Sequence, residues 1–410
     1  MSVQTAVEAP PMRTLAALRG LPQPLRVLQG LAGGEPVVRL GPRSSNCLLA
    51  ASPDAVRHVL RRSNDGYAKP GFVKKGQVGI LVSDGDEWSR HRRLVQQAFG
   101  PGRIDAMTTV IRSVVDRTAD RWAAVASARG TLDVLAEMRS LSWQLICELV
   151  LGDAAENRDL TGRLWTAVRT SHVDQHPLAM MVRGSVSANP QRPAALELGL
   201  LIAQRRWEPD DGVTLLSALV HARDAESGEG FTDQEVYDEV LSLLTAGHET
   251  TADTLTWAWS LLAGSPSAAA PRQVLNESLR LYPPIWLFAR TAVEADIVAG
   301  TQVRPGATVF ISPWLLHHDP RLWTDPERFE PSRFDPATPP PSRFTFLPFG
   351  AGPRVCVGSR LAMLEMEVAL TVLASVANLS LVGRPPAPRT AVTLRPRGPM
   401  MMSFQPPEHR

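Results

Sequence analysis

The amino-acid sequence predicts a mainly α protein in one large domain, with small β-sheets at its margins. Helical periodicity dominates the chain before Leu281, and short β-like runs in Pro-rich coil follow it. Helices first and small sheets at the margins are typical of a mainly α architecture with one core. No internal repeat or flexible Gly/Ser linker divides the chain. Residues 35–410 are therefore expected to form a single domain, preceded by a Pro/Arg-rich N-terminal segment at 1–34.

Composition indicates a globular protein and excludes several classes. The chain has 410 residues, 44% hydrophobic and 20% charged, so a large core is available. A net charge of +2 without a long basic block argues against nucleic-acid binding. With no long apolar run and no signal-peptide pattern, no membrane span is expected. Cys47, Cys147 and Cys356 are odd in number and far apart, which favours a reducing cytoplasm over a disulfide framework.

Local signals predict the elements in order. A short hairpin is expected between Glu35 and Ala51, and a Gly-rich loop from Tyr67 to Asp86. β-like runs at Ile297–Ala299 and Thr308–Ile311 border Pro-rich coil at Asp319–Pro341. Helical patterns are expected over Asp54–Arg62, Glu87–Phe99, Ile104–Ala128, Met138–Leu151, Asp159–Ser171, Ala194–Arg206, Gly212–Arg223 and Leu361–Leu373.

The most apolar helical pattern begins after a capping box formed by Thr232 and Glu235 and continues to about Leu262. At 1.5 Å per residue this helix is roughly 45 Å long. A helix of this length and apolar character is expected to run through the middle of a large domain.

A cysteine near the C-terminus lies in a segment that favours its thiolate form. The segment Phe349–Gly358 contains three glycines and Arg354 around Cys356. Glycines allow positive φ angles and a close approach of the backbone to a flat partner. The dipole of the predicted Leu361–Leu373 helix is expected to lower the pKa of the Cys356 thiol just before it. A thiolate is a strong iron ligand; the alternative is a buried free cysteine in an ordinary Gly-rich turn.

The central helix carries a polar motif, Ala246–Thr251, in an apolar setting. An acid, Glu249, beside two hydroxyls is costly in an apolar helix unless these groups bind or transfer something polar. Threonines can bond the carbonyl four residues back and loosen the helix, and Gly247 is expected to leave space for a small molecule. These features predict a proton-delivery kink with Glu249 and Thr250; the alternative is a helix with a satisfied polar face. His248 is expected to be structural.

Both motifs are similar to those of one family. Phe349–Gly358 resembles the haem-binding loop of the cytochrome P-450 family, and Ala246–Thr251 resembles its oxygen-activation motif. The resemblance implies a cytochrome P-450 fold and Cys356 as the axial ligand to the iron of haem b. It also implies that Glu249 and Thr250 are catalytic and deliver protons for the activation of O2.

Further positions match the family between these motifs and upstream of them, so the resemblance covers essentially the whole chain. Trp88 and Arg92 share one helix face, and the resemblance places them with Arg290 and Arg354 at the haem propionates. The alternative for these arginines is a solvated basic face. Such a face would also attract an acidic electron-transfer protein such as a ferredoxin.

The resemblance also implies a structural triad of Glu277, Arg280 and Arg333 that braces the haem pocket. Ser332 stands where the family usually has Glu before the third member. Without the resemblance, an i,i+3 Glu–Arg pair is usually a surface pair.

One departure from the family is plain. The connection from Thr251 to Glu277 is unusually short, and a helix and loop normally found there in relatives are expected to be mostly missing. This departure bears on the usual redox-partner footprint but leaves the chemistry unchanged.

The resemblance implies a haem-thiolate monooxygenase that inserts one oxygen atom of O2 into a C–H bond. The expected substrate is a lipophilic small molecule such as a terpenoid, polyketide or fatty acid. Electrons are expected from NAD(P)H through a separate ferredoxin reductase and ferredoxin, because no G-x-G-x-x-G motif follows a strand. The alternatives are oxidative coupling or desaturation, and a haem sensor without turnover.

The candidate walls of the substrate pocket are apolar and adaptable, and each has a core-packing role as its alternative. They are Phe72, Leu244, Ala246, Ile285, Trp286, Phe288, and Met401 in a turn at Pro399–Met402.

Overall fold

The computed structural model describes residues 24–40, 46–74, 79–170 and 194–407. Residues 1–23 of the expected N-terminal segment, the centre of the expected hairpin, residues 75–78 of the expected loop and Ser171 lie outside this part of the chain. The helices are α1 Pro24–Ala32, α2 Pro53–Arg61, α3 Gly71–Lys74, α4 Gly85–Ala98, α5 Pro101–Ser127, α6 Val134–Leu151, α7 Arg158–Thr170, α8 Ala195–Trp207, α9 Leu215–His221, α10 Asp233–Gly264, α11 Pro271–Leu281, α12 Pro313–His317 and α13 Ser359–Val376.

The strands are short and lie mostly in the second half of the chain. They are β1 Val37–Arg39, β2 Cys47–Ala50, β3 Tyr67–Ala68, β4 Thr131–Asp133, β5 Phe288–Ala292, β6 Asp296–Val298, β7 Thr301–Val303, β8 Thr308–Ile311, β9 Asn378–Leu381, β10 Pro388–Thr390, β11 Leu394–Pro396 and β12 Met401–Gln405. The predicted mainly α fold with small sheets is confirmed.

The predicted helices coincide with observed ones, with ends that differ by about one turn at most. Capping residues explain several starts, because the side chains of Ser52 and Thr214 each accept a hydrogen bond from an N–H three residues later. The capping box of Thr232 and Glu235 is present at the start of α10.

Helix α10 runs through the middle of the domain, as predicted. It contacts α6, α7, α8, α9, α11 and α13. Buried residues occur along most of its length, including Trp257 at 2% exposure and Ala258 at 0%. A helix covered by other helices on several sides loses most of the usual polar face, which is why long stretches of its sequence are apolar.

The largest sheet has five strands in the order β1-β2-β8-β5-β3. The expected hairpin is confirmed, with Val37 opposite Ala50 in the antiparallel β1–β2 pair. The prediction of a plain loop over Tyr67–Asp86 is wrong in part, because Tyr67 pairs with Ala292 at the sheet edge and Gly71–Lys74 forms the helix α3. This pairing depends on a partner far along the chain, which local composition does not reveal.

The remaining sheets are small. β4, β12 and β9 form one of three strands, and β6–β7 and β10–β11 form hairpins. The β10–β11 hairpin was not predicted. It lies against the central helix, where Trp257 donates its indole N–H to the Leu394 carbonyl at 3.2 Å.

The described part of the N-terminal segment contributes to the core. Leu25, Leu28 and Ala32 of α1 are buried in one cluster with Trp286 and Phe310.

The connection between α10 and α11 is as short as the sequence predicts. α10 ends at Gly264 and α11 begins at Pro271, so only residues 265–270 join them. Among the described residues, no helix combines the length and apolar character needed to cross a bilayer.

The capping box provides a test of how α10 is held. Replacing Thr232 by Ala removes an acceptor for the Glu235 N–H, and we expect the free energy of unfolding to fall by about 1 kcal/mol. Thr245→Ala is the matched control, because it removes a hydroxyl inside the same helix that bonds the Leu241 carbonyl four residues back. Chemical denaturation followed by far-UV circular dichroism measures both. Equal losses in the two variants would contradict a specific capping effect.

Candidate active site

The loop before α13 is tight and depends on glycine. Gly350 and Gly352 have φ angles of +70° and +77°. A Cβ on Gly352 would lie 2.1 Å from the Leu60 carbonyl oxygen, so no other residue fits there. The Cys356 N–H donates to the Phe349 carbonyl at 2.9 Å, which closes the loop just before the helix.

The Cys356 side chain is surrounded by protein yet keeps accessible surface, which is the geometry of a residue that lines a pocket. Burial raises the pKa of its thiol, while a hydrogen bond from Gly358 and the charge of Arg92 act to lower it. The expectation of a lowered pKa is therefore wrong for the polypeptide alone, because desolvation outweighs the helix terminus. A metal cation at the sulfur reverses this balance, since coordination deprotonates a thiol.

Arg92 is positioned by the same loop. Its guanidinium donates to the Val355 carbonyl at 2.8 Å and is close enough to Cys356 for its charge to act on the thiol. Trp88, one turn earlier on α4, is 7% exposed and lies under the guanidinium of Arg354, 4.3 Å from ring centroid to Cζ. The two α4 residues thus both face the cysteine loop.

Arg354 and Arg290 lie together at one side of the site. Burial, and then the charge of Arg354, lower the pKa of Arg290 to about 10. Arg290 donates to the Ser63 hydroxyl at 3.1 Å. Arg354 donates to the Ser83 carbonyl at 3.0 Å and pairs with Asp84, but its buried Nε has no hydrogen-bond partner.

Lys69 is a further cation in this cluster and was missed by the sequence analysis. Burial, and then the charges of Arg354 and Arg290, lower its pKa to about 7. Its ammonium donates to the carbonyls of Ile80 and Leu81. A sequence signal existed, since the chain has only three lysines and this one precedes Pro70-Gly71.

The cluster of Lys69, Arg290 and Arg354 carries more positive charge than the described acids beside it neutralise. Asp84 is shared between Arg354 and Lys74, and Glu239 is paired with His91 at 2.6 Å. Buried cations require anionic partners, and carboxylates are the strongest available. The residues present therefore fit a haem, whose two propionates supply that negative charge beside the Cys356 sulfur.

The central helix presents Ala246 to an accessible space, although its neighbours Leu243, Leu244 and His248 are buried. Thr250 lies one turn later and donates its hydroxyl hydrogen to the Ala246 carbonyl at 2.8 Å. This is the predicted back-bonding. The helix is continuous through the motif, so the expected kink does not interrupt it.

Gly247 does not provide space for a small molecule, which corrects the prediction. A Cβ at this position would lie 2.7 Å from Cδ1 and 3.0 Å from Cγ1 of Ile146 on α6. The glycine therefore lets α6 and α10 approach closely on the side of the helix away from Ala246. The next residue, His248, is buried between Trp143 and Trp165, as expected of a structural residue.

Glu249 is directed toward the β10–β11 hairpin. Its side chain is 13% exposed and lies 3.6 Å from the guanidinium of Arg395. The Thr393 hydroxyl donates to its other oxygen at 3.4 Å. These two partners are themselves buried, at 7% and 3% exposure.

The structure brings the predicted triad together in a fully buried position. Arg280 donates twice to Glu277, at 2.7 Å to each carboxylate oxygen, and both side chains are 0% exposed. Arg333 lies 3.4 Å from the same carboxylate. The surface-pair alternative is therefore wrong for these residues.

This ion pair is linked to the cysteine loop by hydrogen bonds. Arg280 donates to the His317 carbonyl at 2.8 Å, and the His317 ring accepts from the Leu347 N–H at 2.9 Å. Burial keeps the pKa of His317 well below its usual range, so the ring stays neutral and able to accept. The Gly350 N–H then donates to the Leu347 carbonyl at 3.2 Å.

The predicted substrate walls separate into two groups. Ala246, Ile285 and Met401 are exposed, and Phe72 and Phe288 are half-buried. Met401 begins a strand rather than lying in a turn.

Leu244 and Trp286 belong to the core, which corrects their assignment as walls. Leu244 is 0% exposed, and Trp286 is 2% exposed with its indole N–H bonded to the Ala391 carbonyl at 2.8 Å. A side chain without accessible surface cannot touch a substrate.

The cysteine loop, the buried cations beside it and the long central helix with its acid–hydroxyl pair define a class of protein, one whose residues fit a haem. Comparison with known proteins agrees. The sequence model of the cytochrome P-450 family matches residues 32–270 and 272–400. This chain belongs to the cytochrome P-450 family and is a P-450 monooxygenase, an oxidoreductase, and membership implies a haem-thiolate.

Individual relatives cover nearly the whole chain. It is 32% identical to cyclooctatin synthase of Streptomyces melanosporofaciens, over 94% of this chain and 92% of that protein. It is 28% identical to pentalenene oxygenase of Streptomyces avermitilis, over 86% of each. Its fold is similar to the structure of a retinoic acid-bound cyanobacterial CYP120A1, with a TM-score of 0.81, 21% identity, and 99% of this chain and 100% of that chain covered.

The close contact at Gly247 predicts an energetic coupling to Ile146. Gly247→Ala adds a methyl group that collides with Ile146, and we expect it to cost about 1–3 kcal/mol, less about 1 kcal/mol regained in helix propensity. Ile146→Val removes Cδ1, the nearer of the two colliding atoms. The double variant should therefore be more stable than the sum of the single changes predicts. A double-mutant cycle of unfolding free energies measures this, and additivity within about 0.5 kcal/mol would contradict the contact.

The buried ion pair predicts a large stability loss. Glu277→Ala leaves the Arg280 guanidinium buried without its carboxylate, and we expect a loss of about 3–5 kcal/mol together with poor retention of haem. Arg328→Ala is the control, because its side chain is 69% exposed and its pair with Glu330 contributes below about 1 kcal/mol. Thermal unfolding and the haem-to-protein absorbance ratio report both effects. Similar losses of thermal stability and of haem in the two variants would contradict a special role for the buried pair.

Proposed function

We propose that this monooxygenase inserts one oxygen atom of O2 into a C–H bond of a lipophilic small molecule, with a terpenoid or polyketide as the substrate class. The observation that carries the proposal is that Ala246, one turn before Thr250 on the mostly buried helix α10, is exposed. Ile285 and Phe288 add further apolar side chains with accessible surface. Apolar walls with few polar groups are typical of sites for hydrophobic ligands. The names of two relatives, cyclooctatin synthase and pentalenene oxygenase, favour the same class.

Several residues of this chain would hold the haem. The sulfur of Cys356 would ligate the iron, and Arg290, Arg354 and Lys69 would face the propionates. Arg92 and Trp88 would complete the same side, Trp88 by supporting the Arg354 guanidinium. When bound, a haem with a thiolate ligand supplies the oxidising power that activates O2.

The polypeptide supplies protons and excludes water. The Thr250 hydroxyl hydrogen is committed to the Ala246 carbonyl, so the oxygen presents its lone pairs to the accessible side of the helix. In this role it accepts a hydrogen bond and orients a small polar group above Ala246. Glu249, the adjacent residue, receives and releases a proton at its carboxylate.

Electrons come in this proposal from NAD(P)H through a separate ferredoxin reductase and an acidic ferredoxin in the cytoplasm. Arg360 in the first turn of α13 and Arg272 at the start of α11 are more than half exposed, and such cations attract an acidic partner. α11 packs on α13, the helix that follows Cys356. The 265–270 connection leads directly into α11, so its shortness affects the shape of the surface near these arginines.

Ligand titrations and turnover test this function. We expect lipophilic cyclic compounds to shift the Soret band of the purified protein, and charged hydrophilic compounds to leave it unchanged. Turnover with a ferredoxin system under ¹⁸O2 should add one labelled atom to the product. Products without the label would instead indicate coupling or desaturation, and ligand binding without reductant consumption would indicate a sensor.

Site variants separate haem binding from proton delivery. Cys356→Ser should abolish the absorbance band of the reduced carbonyl complex near 450 nm, whose position depends on thiolate ligation. Thr250→Ala should keep that band but lower product formed per reductant consumed by roughly 10²-fold, the scale of losing a group that positions a reactant. Unchanged coupling in Thr250→Ala would contradict its proposed role.

A further inference from the structure

Asp253 lies one helical turn after Glu249 on α10 and has no role in the site described so far. It is 0% exposed, and neither carboxylate oxygen has a hydrogen-bond partner. An isolated buried carboxylate is very costly, so a group in this position is held neutral by a proton. Its spacing of four residues puts it on the same helix face as Glu249.

The groups that face Asp253 come from three elements. Glu249 is its neighbour on α10, Arg139 belongs to α6, and Thr393 and Arg395 belong to the β10–β11 hairpin. The hydroxyl of Thr393 is near both acids but is directed at Glu249, at 3.4 Å. Arg395 also lies closer to Glu249, at 3.6 Å. The hairpin therefore supports a charge on Glu249 and leaves Asp253 without a full partner.

The electrostatics agree with this division. Burial, and then the negative charge of Glu249, raise the pKa of Asp253 to about 7. Arg139, Thr393 and Arg395 act in the opposite direction but do not overcome burial. Near neutral pH Asp253 is therefore close to the midpoint of its titration, so it can both hold and release a proton.

We propose that Asp253 is the proton store for Glu249, and that the Thr393 hydroxyl passes the proton between the two carboxyl groups. Asp253 touches neither the haem nor the substrate, so it is a positioning and proton-supplying residue. This inference rests on the proposed role of Glu249 in proton delivery. It assigns Asp253 and the turn of the β10–β11 hairpin to one path of proton transfer.

The transfer balances without any oxidant. The Asp253 O–H gives its proton to the Thr393 oxygen while the Thr393 hydroxyl proton passes to the Glu249 carboxylate. Asp253 gains one negative charge, Glu249 loses one, and Thr393 is unchanged. After Glu249 has delivered its proton, its 13% exposed carboxylate takes another from water, and the reverse transfer reloads Asp253.

Infrared spectroscopy of the haem-loaded protein tests the store directly, without turnover. We expect a C=O stretch of a protonated carboxyl group near 1,700–1,750 cm⁻¹ that shifts in D2O and fades with a midpoint near pH 7. Glu365 is also buried, and burial raises its pKa to about 8, so it contributes a second band that fades at higher pH. Asp253→Asn should abolish the band with its midpoint near pH 7, seen as the wild-type-minus-variant difference, whereas Asp238→Asn on the same helix should leave both bands in place. Absence of any such difference for Asp253→Asn, or absence of the Asp253 band in the wild type at pH 6, would overturn the proposal.

A stability measurement gives the same answer by another route. The folded pKa of Asp253 is raised above that of the unfolded chain, so stability is lost as pH rises from about 4 to 7. Asp253→Asn should therefore raise the melting temperature more at pH 8 than at pH 5. An equal change at both pH values would count against a titrating Asp253.

Coupling measurements test the relay. Thr393→Val should keep the infrared band but increase the solvent isotope effect and the peroxide formed per reductant by several-fold, and Thr393→Ser should restore both. If Glu249→Gln lowers coupling and Asp253→Asn does not, the relay is wrong while the proposed function stands. If Glu249→Gln leaves coupling unchanged, the proposed role of Glu249 fails, whatever the infrared band shows.

Discussion

The buried ion pair between Glu277 and Arg280 is the interaction on which the site depends. Arg280 uses its remaining donors on the carbonyls of His317, Pro326 and Arg328, so one guanidinium fixes the end of α12 and the irregular chain after it. The neutral His317 ring accepts a hydrogen bond from the Leu347 N–H and so fixes the chain just before the cysteine loop. A loop with two residues at positive φ has little order of its own. The position of the Cys356 sulfur is therefore set by an ion pair far from it in sequence.

The electrostatics of the site are unfavourable for the polypeptide alone. Lys69 and Arg290 have lowered pKa values because both are buried near another cation, and the Cys356 thiol has a raised pKa. A haem brings two anionic propionates to the cations and a metal cation to the sulfur, so it relieves both costs at once. Binding energy of this kind adds to the stability of the folded state. The arrangement explains why the cations are concentrated on one side of the cysteine loop.

The sequence predicts the helices well because their signals are local. The period of apolar residues and the caps at Ser52 and Thr232 depend on residues within one turn. The β3 edge pairing and the β10–β11 hairpin were missed because their stability comes from partners elsewhere, such as Ala292 for Tyr67. In the site, the motif matches identified Cys356 and Glu249 as candidates from local sequence alone. Lys69 and Thr393 were missed, since each acquires its setting from contacts across more than a hundred residues of chain.

The error at Gly247 shows how one helix serves two environments. Consecutive residues of a helix point about 100° apart, so Ala246 faces the accessible space while Gly247 faces Ile146. The close packing against Ile146 fixes the position of the helix. It thereby also fixes Ala246 and Thr250 on the accessible side. The acids lie on the other side of Ala246 from Gly247, with Glu249 at the hairpin and Asp253 fully buried one turn further along. A proton that moves between Glu249 and Asp253 stays inside the protein. This transfer therefore needs no chain of water molecules through the apolar side where the substrate is proposed to bind.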